Sequence, residues 1–192
     1  IVDNNSTDHT VDIAKRFPVK KIISLGEFKP GKAINDGVRA SEGQFLVCLS
    51  AHCVPKDASW LSTLKKNFDE QENLAGVYGK QLPVNFTDPM DKRDLLLVFG
   101  QDKRVQKKDY FFHNANSMIS RAVWDAHPFD ETVTNIEDRV WGRQVTEAGF
   151  HLVYEPEAGV YHYHGLHQGN NANRAKGVAS ILERVDSDLF FG

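Results

Sequence analysis

Three groups of side chains in this 192-residue chain have the types and spacing to do chemistry. Glu137 and Asp138 are adjacent carboxylates following Thr134-Asn135-Ile136, where the pattern predicts a helix start. Acids in a first helical turn face free N–H groups and the positive end of the helix dipole, which by itself accounts for both. A carboxylate held there can also serve as a general base. The second group is the run Val160-Tyr161-His162-Tyr163-His164-Gly165-Leu166-His167. In a strand His162 and His164 lie on one face, as two metal ligands could, although lone histidines are more often structural. The third is Leu49-Ser50-Ala51-His52, where an apolar run gives way to small and polar residues.

Weaker signals surround these. Asp3-Asn4-Asn5-Ser6-Thr7-Asp8 reads first as a helix N-cap. That reading does not need Asp3, which stands at a strand terminus, where its carboxylate could accept the N3–H of a uracil or thymine. Taken alone, the cap is the stronger explanation. Gly31-Lys32 opens a helix and could meet a phosphate. The upstream glycine and the following Ser/Thr of a Walker A motif are absent, and Lys32 serves equally well as a surface charge. Asn114 and Asn116 alternate with small residues, which suits sugar hydroxyls or a plain polar strand edge.

The elements that must position these residues alternate between strand and helix. The pattern predicts helices over 8–17, 32–40, 58–69, 89–99, 121–126, 136–148 and 171–189. Strands are expected at 1–3, 19–25, 44–49, 74–80, 110–119, 151–154 and 160–163. The run Phe45-Leu46-Val47-Cys48-Leu49 has the continuous apolar character of a strand buried on both faces. Strand–helix–strand alternation in the first half argues for parallel strands with right-handed crossovers. Ligands of such sheets bind at the carboxyl ends of strands, where Asp3, Ser50 and His52 fall.

Composition narrows the classes. A hydrophobic fraction of 41% and a charged fraction of 26% are those of an ordinary globular domain. The formal net charge of −3 gives no electrostatic reason to expect nucleic acid as a partner. No apolar run approaches the ~20 residues of a transmembrane segment. Cys48 and Cys53 cannot build a multi-bridge framework, and a reducing, cytoplasmic setting is the simpler reading. Ile1-Val2-Asp3 reads as the tail of a strand, so a further strand is expected upstream.

The blocks Val2-Asp3-Asn4-Asn5-Ser6-Thr7-Asp8, Lys32-Ala33-Ile34-Asn35-Asp36-Gly37 and Ala40-Ser41-Glu42-Gly43-Gln44-Phe45-Leu46 follow one another as in the family 2 glycosyltransferases, and the chain resembles that inverting family over about residues 1–164. The resemblance implies one α/β domain of GT-A type over 1–192, with a mixed, mostly parallel sheet, helices on both faces and the first strand upstream. It implies that Asp3 contacts the nucleotide base, and that the turn carrying Asn5, together with Lys32, Ser50, Asn114 and Asn116, binds the nucleotide-sugar.

In the family, the strand ending at Leu49 usually continues as Asp-Ala-Asp, whose carboxylates hold the Mg²⁺ or Mn²⁺ that bridges the diphosphate. Here Ser50 and His52 replace both acids. Mucin-type polypeptide N-acetylgalactosaminyltransferases have histidine at the second position. Imidazole favours Mn²⁺ or Zn²⁺ over Mg²⁺, which makes His52 and His162 the expected metal pair and His164 the alternative ligand. Pro128-Phe129-Asp130-Glu131 and the Glu137-Asp138 pair match the family's second signature, implying that Asp138 is the general base and Glu137 an orienting group.

The implied function is transfer of a sugar from a nucleoside-diphosphate sugar to an acceptor hydroxyl with inversion, in polysaccharide biosynthesis. A glycan or lipid-linked acceptor would bring the protein to a membrane surface as a peripheral component, and a homo-oligomer is left open. The alternatives are a degenerate member that binds nucleotide or glycan without catalysis and a zinc hydrolase built on the histidine cluster, against which the spacing offers no HExxH-type helix.

Overall fold

The computed structural model describes residues 1–163 and 172–185. Two long strands form its centre: β5 (Leu74–Pro83) and β8 (His151–His162) run parallel, with Val77 opposite Val153 and Tyr78 opposite Tyr154. Side chains alternate across a strand, so neighbours in sequence enter different cores. Val77, Val153 and Met118 join one apolar cluster with Trp60 and Leu64 of α3 (Trp60–Glu70). Tyr78, Tyr154 and Ile119 join the other. This second core is closed by α2 (Pro30–Arg39), α4 (Pro89–Val98), α5 (Arg121–Ala126) and α6 (Glu137–Glu147), through Val38, Leu95, Val123 and Trp141 among others. Each such fully buried apolar side chain contributes roughly 1.5–3 kcal/mol, so both faces are anchored by burial rather than by helix propensity.

The six-stranded sheet has the order β3 (Phe45–Leu49), β7 (Asn116–Ser120), β5, β8, β4 (Cys53–Pro55), with β6 (Arg104–Gln106) also on β8. A separate ladder joins β1 (Val2–Asp3) to β2 (Ile23–Ser24). The short helix α1 (Thr10–Ala14) lies between those two strands in sequence, and α7 (Ala172–Val185) is the last described element. Among the described residues, no helix is long and apolar enough to cross a membrane.

The sheet is mixed, with helices on both faces, but the expected parallel majority is not what forms. Among the described residues two pairings, β1–β2 and β5–β8, are parallel, and four are antiparallel. The cause is β7, which inserts antiparallel to both β3 and β5, and the edge strands β4 and β6, which run against β8. The strand expected over 19–25 shrinks to two residues, and that over 110–119 begins only at Asn116. The two strands expected at 151–154 and 160–163 are one, continuous through Pro156.

One connection shapes the site. β3 and β4 stand at opposite ends of the sheet order, yet only Ser50, Ala51 and His52 join them. Four flat interstrand spacings would need roughly 19 Å. Four residue steps from Leu49 to Cys53 span at most about 14 Å. The strands must therefore converge and coil at this edge. That convergence carries the Ser50–His52 turn across to the end of β8.

Candidate active site

His52 and His162 meet where the strands converge. The His52 carbonyl accepts from the Tyr163 N–H at 2.9 Å, and Cys53 pairs with His162 in the β4–β8 ladder. Their rings lie 4.9 Å apart, centroid to centroid, tilted by 36°. Ser50 Oγ is 2.8 Å from His52 Nε2, and the Ser50 N–H is fixed by the Ala115 carbonyl at 3.0 Å. His162 is buried, whereas His52 opens onto a large cavity. His164 and His167 lie outside the described residues.

That cavity measures about 1750 Å³. Single small-ligand sites occupy roughly 300–1,000 Å³, so this one has room for a nucleotide-sugar and an acceptor together. Asn4, Ser50 and His52 line one part of it, and Asn114, Glu137 and Asp138 another.

Asp138 is placed by two features of α6. Its helix starts after Ile136, whose φ of 51° is left-handed, an outlier for a β-branched residue that persists only where its surroundings impose it. The helix also approaches the 110–112 segment very closely: a Cβ on Gly142 would stand 2.2 Å from the Tyr110 carbonyl oxygen. Only glycine allows that contact, while Trp141 wedges between Phe112 and Phe129 at 5.0 and 5.2 Å. The result brings Asp138 against the next loop. Its Oδ2 accepts from the Asn114 N–H at 3.1 Å, and its Oδ1 from the Arg139 N–H at 2.9 Å. Asp138 is 9% exposed, enough to present a carboxylate edge to the cavity. Glu137 Oε1 lies 3.5 Å from Asn114 Nδ2.

The remaining predicted residues divide. Asp3 is buried, and its carboxylate closes the following turn, accepting from Ser6 Oγ at 2.6 Å and from the Ser6 N–H at 3.1 Å. Asn5, at φ 55°, donates to the Leu25 carbonyl at 2.5 Å and ties the turn to the end of β2. Lys32 forms an ion pair with Asp36 on the outside of α2. Asn116 corrects the expectation of a sugar contact. It is fully buried, accepts from Trp60 Nε1 at 2.8 Å, and donates to the Lys80 and Ala158 carbonyls at 3.2 and 2.8 Å. Its carboxamide is used up by the scaffold because β7 threads between β3 and β5.

Two residues were missed from sequence. Asn35 is buried and joins α2 to the following layer, accepting from Trp124 Nε1 at 2.8 Å and donating to the Phe129 carbonyl at 2.9 Å. Its signal was an amide on the apolar face of an amphipathic helix. His113 lies beside the carboxylate of Asp138, with 3.8 Å between Nδ1 and Oδ2. It directly precedes Asn114, but no local periodicity marks it. Cys48, at the cavity wall, is held as a thiol: burial pushes its pKa up to about 12, outweighing the bond from Ser117, and the charges of Glu137 and Asp138 add to the rise.

The divalent cation that the resemblance implies meets a thin donor set. Among the described residues, no group of three or more His, Cys, Asp and Glu side chains is placed to hold a metal. Two imidazoles beside one hydroxyl fit a borderline cation only if a bound diphosphate completes its coordination.

A family model described as "Glycosyl transferase family 2" matches residues 1–127. The O-antigen chain rhamnosyltransferase WbaN of Salmonella anatum is 28% identical over 176 residues, covering 85% of this chain and 56% of that protein. The chain thus spans about half the length of the curated relatives it matches. TarS of S. aureus, solved in complex with UDP-GlcNAc, superposes with a TM-score of 0.64 at 19% identity, over 84% of this chain and 48% of that one. The mannosyltransferase PcManGT from Pyrobaculum calidifontis, solved with GDP-Man and Mn²⁺, gives 0.61 at 19% identity, over 83% and 46%. The fold is thereby that of the GT-A enzymes, as the resemblance in motif order had implied, and with the family model covering 1–127 of its 192 residues the chain belongs to glycosyl transferase family 2.

Proposed function

We propose that this chain carries the catalytic site of a transferase that moves a sugar from a nucleoside-diphosphate sugar to an acceptor hydroxyl, with inversion at the anomeric carbon. The observation that carries the reading is Asp138: a nearly buried carboxylate, fixed by two backbone N–H groups and facing a cavity large enough for both substrates. In a single displacement Asp138 takes the acceptor's hydroxyl proton as its oxygen attacks, and the nucleoside diphosphate leaves from the opposite side. Glu137, beside Asn114, orients the acceptor. Asn4, Asn5 and Asp3 form the turn at the nucleotide end.

His52 and His162 are the residues that would hold a divalent cation, Mn²⁺ before Mg²⁺, with Ser50 positioning His52. When bound, such a cation neutralises charge on the departing diphosphate. The O-antigen chain in the name of the S. anatum relative supports a glycan acceptor, and a lipid-linked one is part of the same proposal.

The test is Asp138→Asn, assayed by nucleoside-diphosphate release across a panel of nucleotide-sugars. The amide keeps the acceptor for the Asn114 N–H but cannot take a proton. Turnover should fall at least ~10²-fold with donor affinity nearly unchanged. The folded state should lose only ~0.3–1 kcal/mol from the helix-start charge. Wild-type turnover in Asp138→Asn removes it as the base. A second reading, nucleotide binding without transfer, is favoured by Ser50 and His52 standing where the family has two acids. It predicts nucleotide affinity with no release from any donor.

A further inference from the structure

Ile136 stands where its backbone argues against it. At a φ of 51° glycine or asparagine is at ease, whereas a β-branched side chain is strained. Strain of this kind gathers where a side chain or its setting is used. Ile136 lines the cavity just before Glu137 and Asp138, and apolar side chains flank it on two sides.

On one side is α7. A Cβ on Gly177 would lie 3.7 Å from Asn135 Nδ2, so this helix passes beside the 134–136 turn. Val178 and Leu182 follow on one helix face, and both line the cavity. On the other side is the end of α4. The ring of Phe99, its C-cap, is 5.9 Å from the ring of His113, whose Nδ1 is 3.8 Å from Asp138 Oδ2. Leu97 and Val98 reach the same cavity from there. Leu97 is 75% exposed, so this apolar wall starts beside Asp138 and runs out to solvent.

Sugar hydroxyls lose hydrogen bonds to water against such a wall and gain none. The methyl group of a deoxy sugar would cover only one of its side chains, since Val178 and Leu182 alone are about 6 Å apart along the helix. A wall of this length with an open outer end matches an alkyl chain. We propose that the acceptor is carried on an alkyl or isoprenoid chain, whose first carbons lie along Ile136, Val178, Leu182, Val98 and Leu97. The proposal deepens the transferase reading and rests on Asp138 marking the acceptor end. It accounts for the isoleucine, because apolar burial against the chain offsets the backbone strain. It also gives a role to α7, which lies beyond the residues 1–127 that the family model matches.

The experiment is methyl-resolved NMR of the full chain, titrated with octyl β-glucoside below its micelle concentration and separately with methyl β-glucoside. The octyl compound should shift the methyl signals of Ile136, Val178, Leu182 and Leu97. It should half-saturate them at least about tenfold below methyl glucoside, the gain from one or two buried methylenes. Leu97→Gln changes an exposed position and should leave the fold intact, yet weaken octyl binding about threefold or more. Ile136→Asn, which suits this φ, should keep or raise the melting temperature and still weaken octyl binding. Missing shifts at these methyls, or equal half-saturation by the two glucosides, overturn the proposal. Shifts of equal size at Val54 and Leu61, which are exposed but lie off the cavity, would mean an adventitious additive only and overturn it too. So would binding to phosphatidylcholine vesicles that Leu97→Gln abolishes, since the wall would then be a bilayer contact. A second arm compares transfer to matched octyl and methyl glycosides across a panel of sugars. A lower KM for the octyl member is expected; equal KM values overturn the chain and leave the transferase reading standing. Wild-type turnover in Asp138→Asn beside intact octyl shifts would instead remove the base and keep the apolar wall as a chain site.

Discussion

Asn114 and Asn116 look alike in sequence, yet one borders the cavity while the other holds the sheet together. Nothing in their spacing separates them, because the difference arises from β7 passing between β3 and β5. Asp138 and Glu137 were legible, since a helix start with two acids is a local pattern. His113 was not, since its place beside Asp138 depends on α6 arriving against the 110–114 segment. The rings of His52 and His162 lie 4.9 Å apart, centroid to centroid. A calorimetric titration with UDP, with and without Mn²⁺, tests what that proximity is for. His52→Ala should weaken the Mn²⁺-dependent part of binding about tenfold or more, whereas Ser50→Ala should cost about one hydrogen bond, ~0.5–1.5 kcal/mol. UDP binding that is indifferent to Mn²⁺ and to His52→Ala would leave the two histidines a structural pair.

At the scale of elements, α2 is the best-anchored wall of the cavity. Pro30 suits its first turn, and Asn35 bonds to the Trp124 indole and the Phe129 backbone. Arg39 bridges Asp36 and Glu131 at 3.0 and 2.9 Å. The bond from Lys32 chiefly holds the Asp36 carboxyl below its ordinary value of 3.8, and those from Asn35 and Arg39 hold Glu131 below 4.5. Carboxyls depressed in the folded state add stability above the unfolded pKa and lose it as pH falls through the folded one. Melting temperature should therefore decline below about pH 4.5, and Glu131→Gln should flatten that decline. An unchanged acid slope in Glu131→Gln would show that the bridge adds nothing measurable, as exposed ion pairs often do not. The helices of this layer were readable from apolar periodicity. β4 and β6 were not, because three-residue strands carry no period and form only where β8 offers an edge.

For the whole molecule, the division into two hydrogen-bonded units matters most. The motif order along the chain was enough to anticipate helices on both faces of one sheet. It could not reveal that, among the described residues, β1 and β2 share no ladder with the other six strands. Few-residue ladders open far more easily than buried central strands. Hydrogen exchange should accordingly find the Ile23 and Leu25 amides, bonded to Ile1 and Asp3, orders of magnitude less protected than those of Val77 and Val153. Equal protection would mean that the domain opens as one body. If the division holds, a nucleotide spanning the cavity must immobilise the weaker wall as it binds, and part of its intrinsic affinity is consumed in doing so. Pre-organisation then becomes the lever. A change that stiffens the β1–β2 ladder, touching no ligand atom, would tighten nucleotide binding more than an added contact at Ser50 or His52.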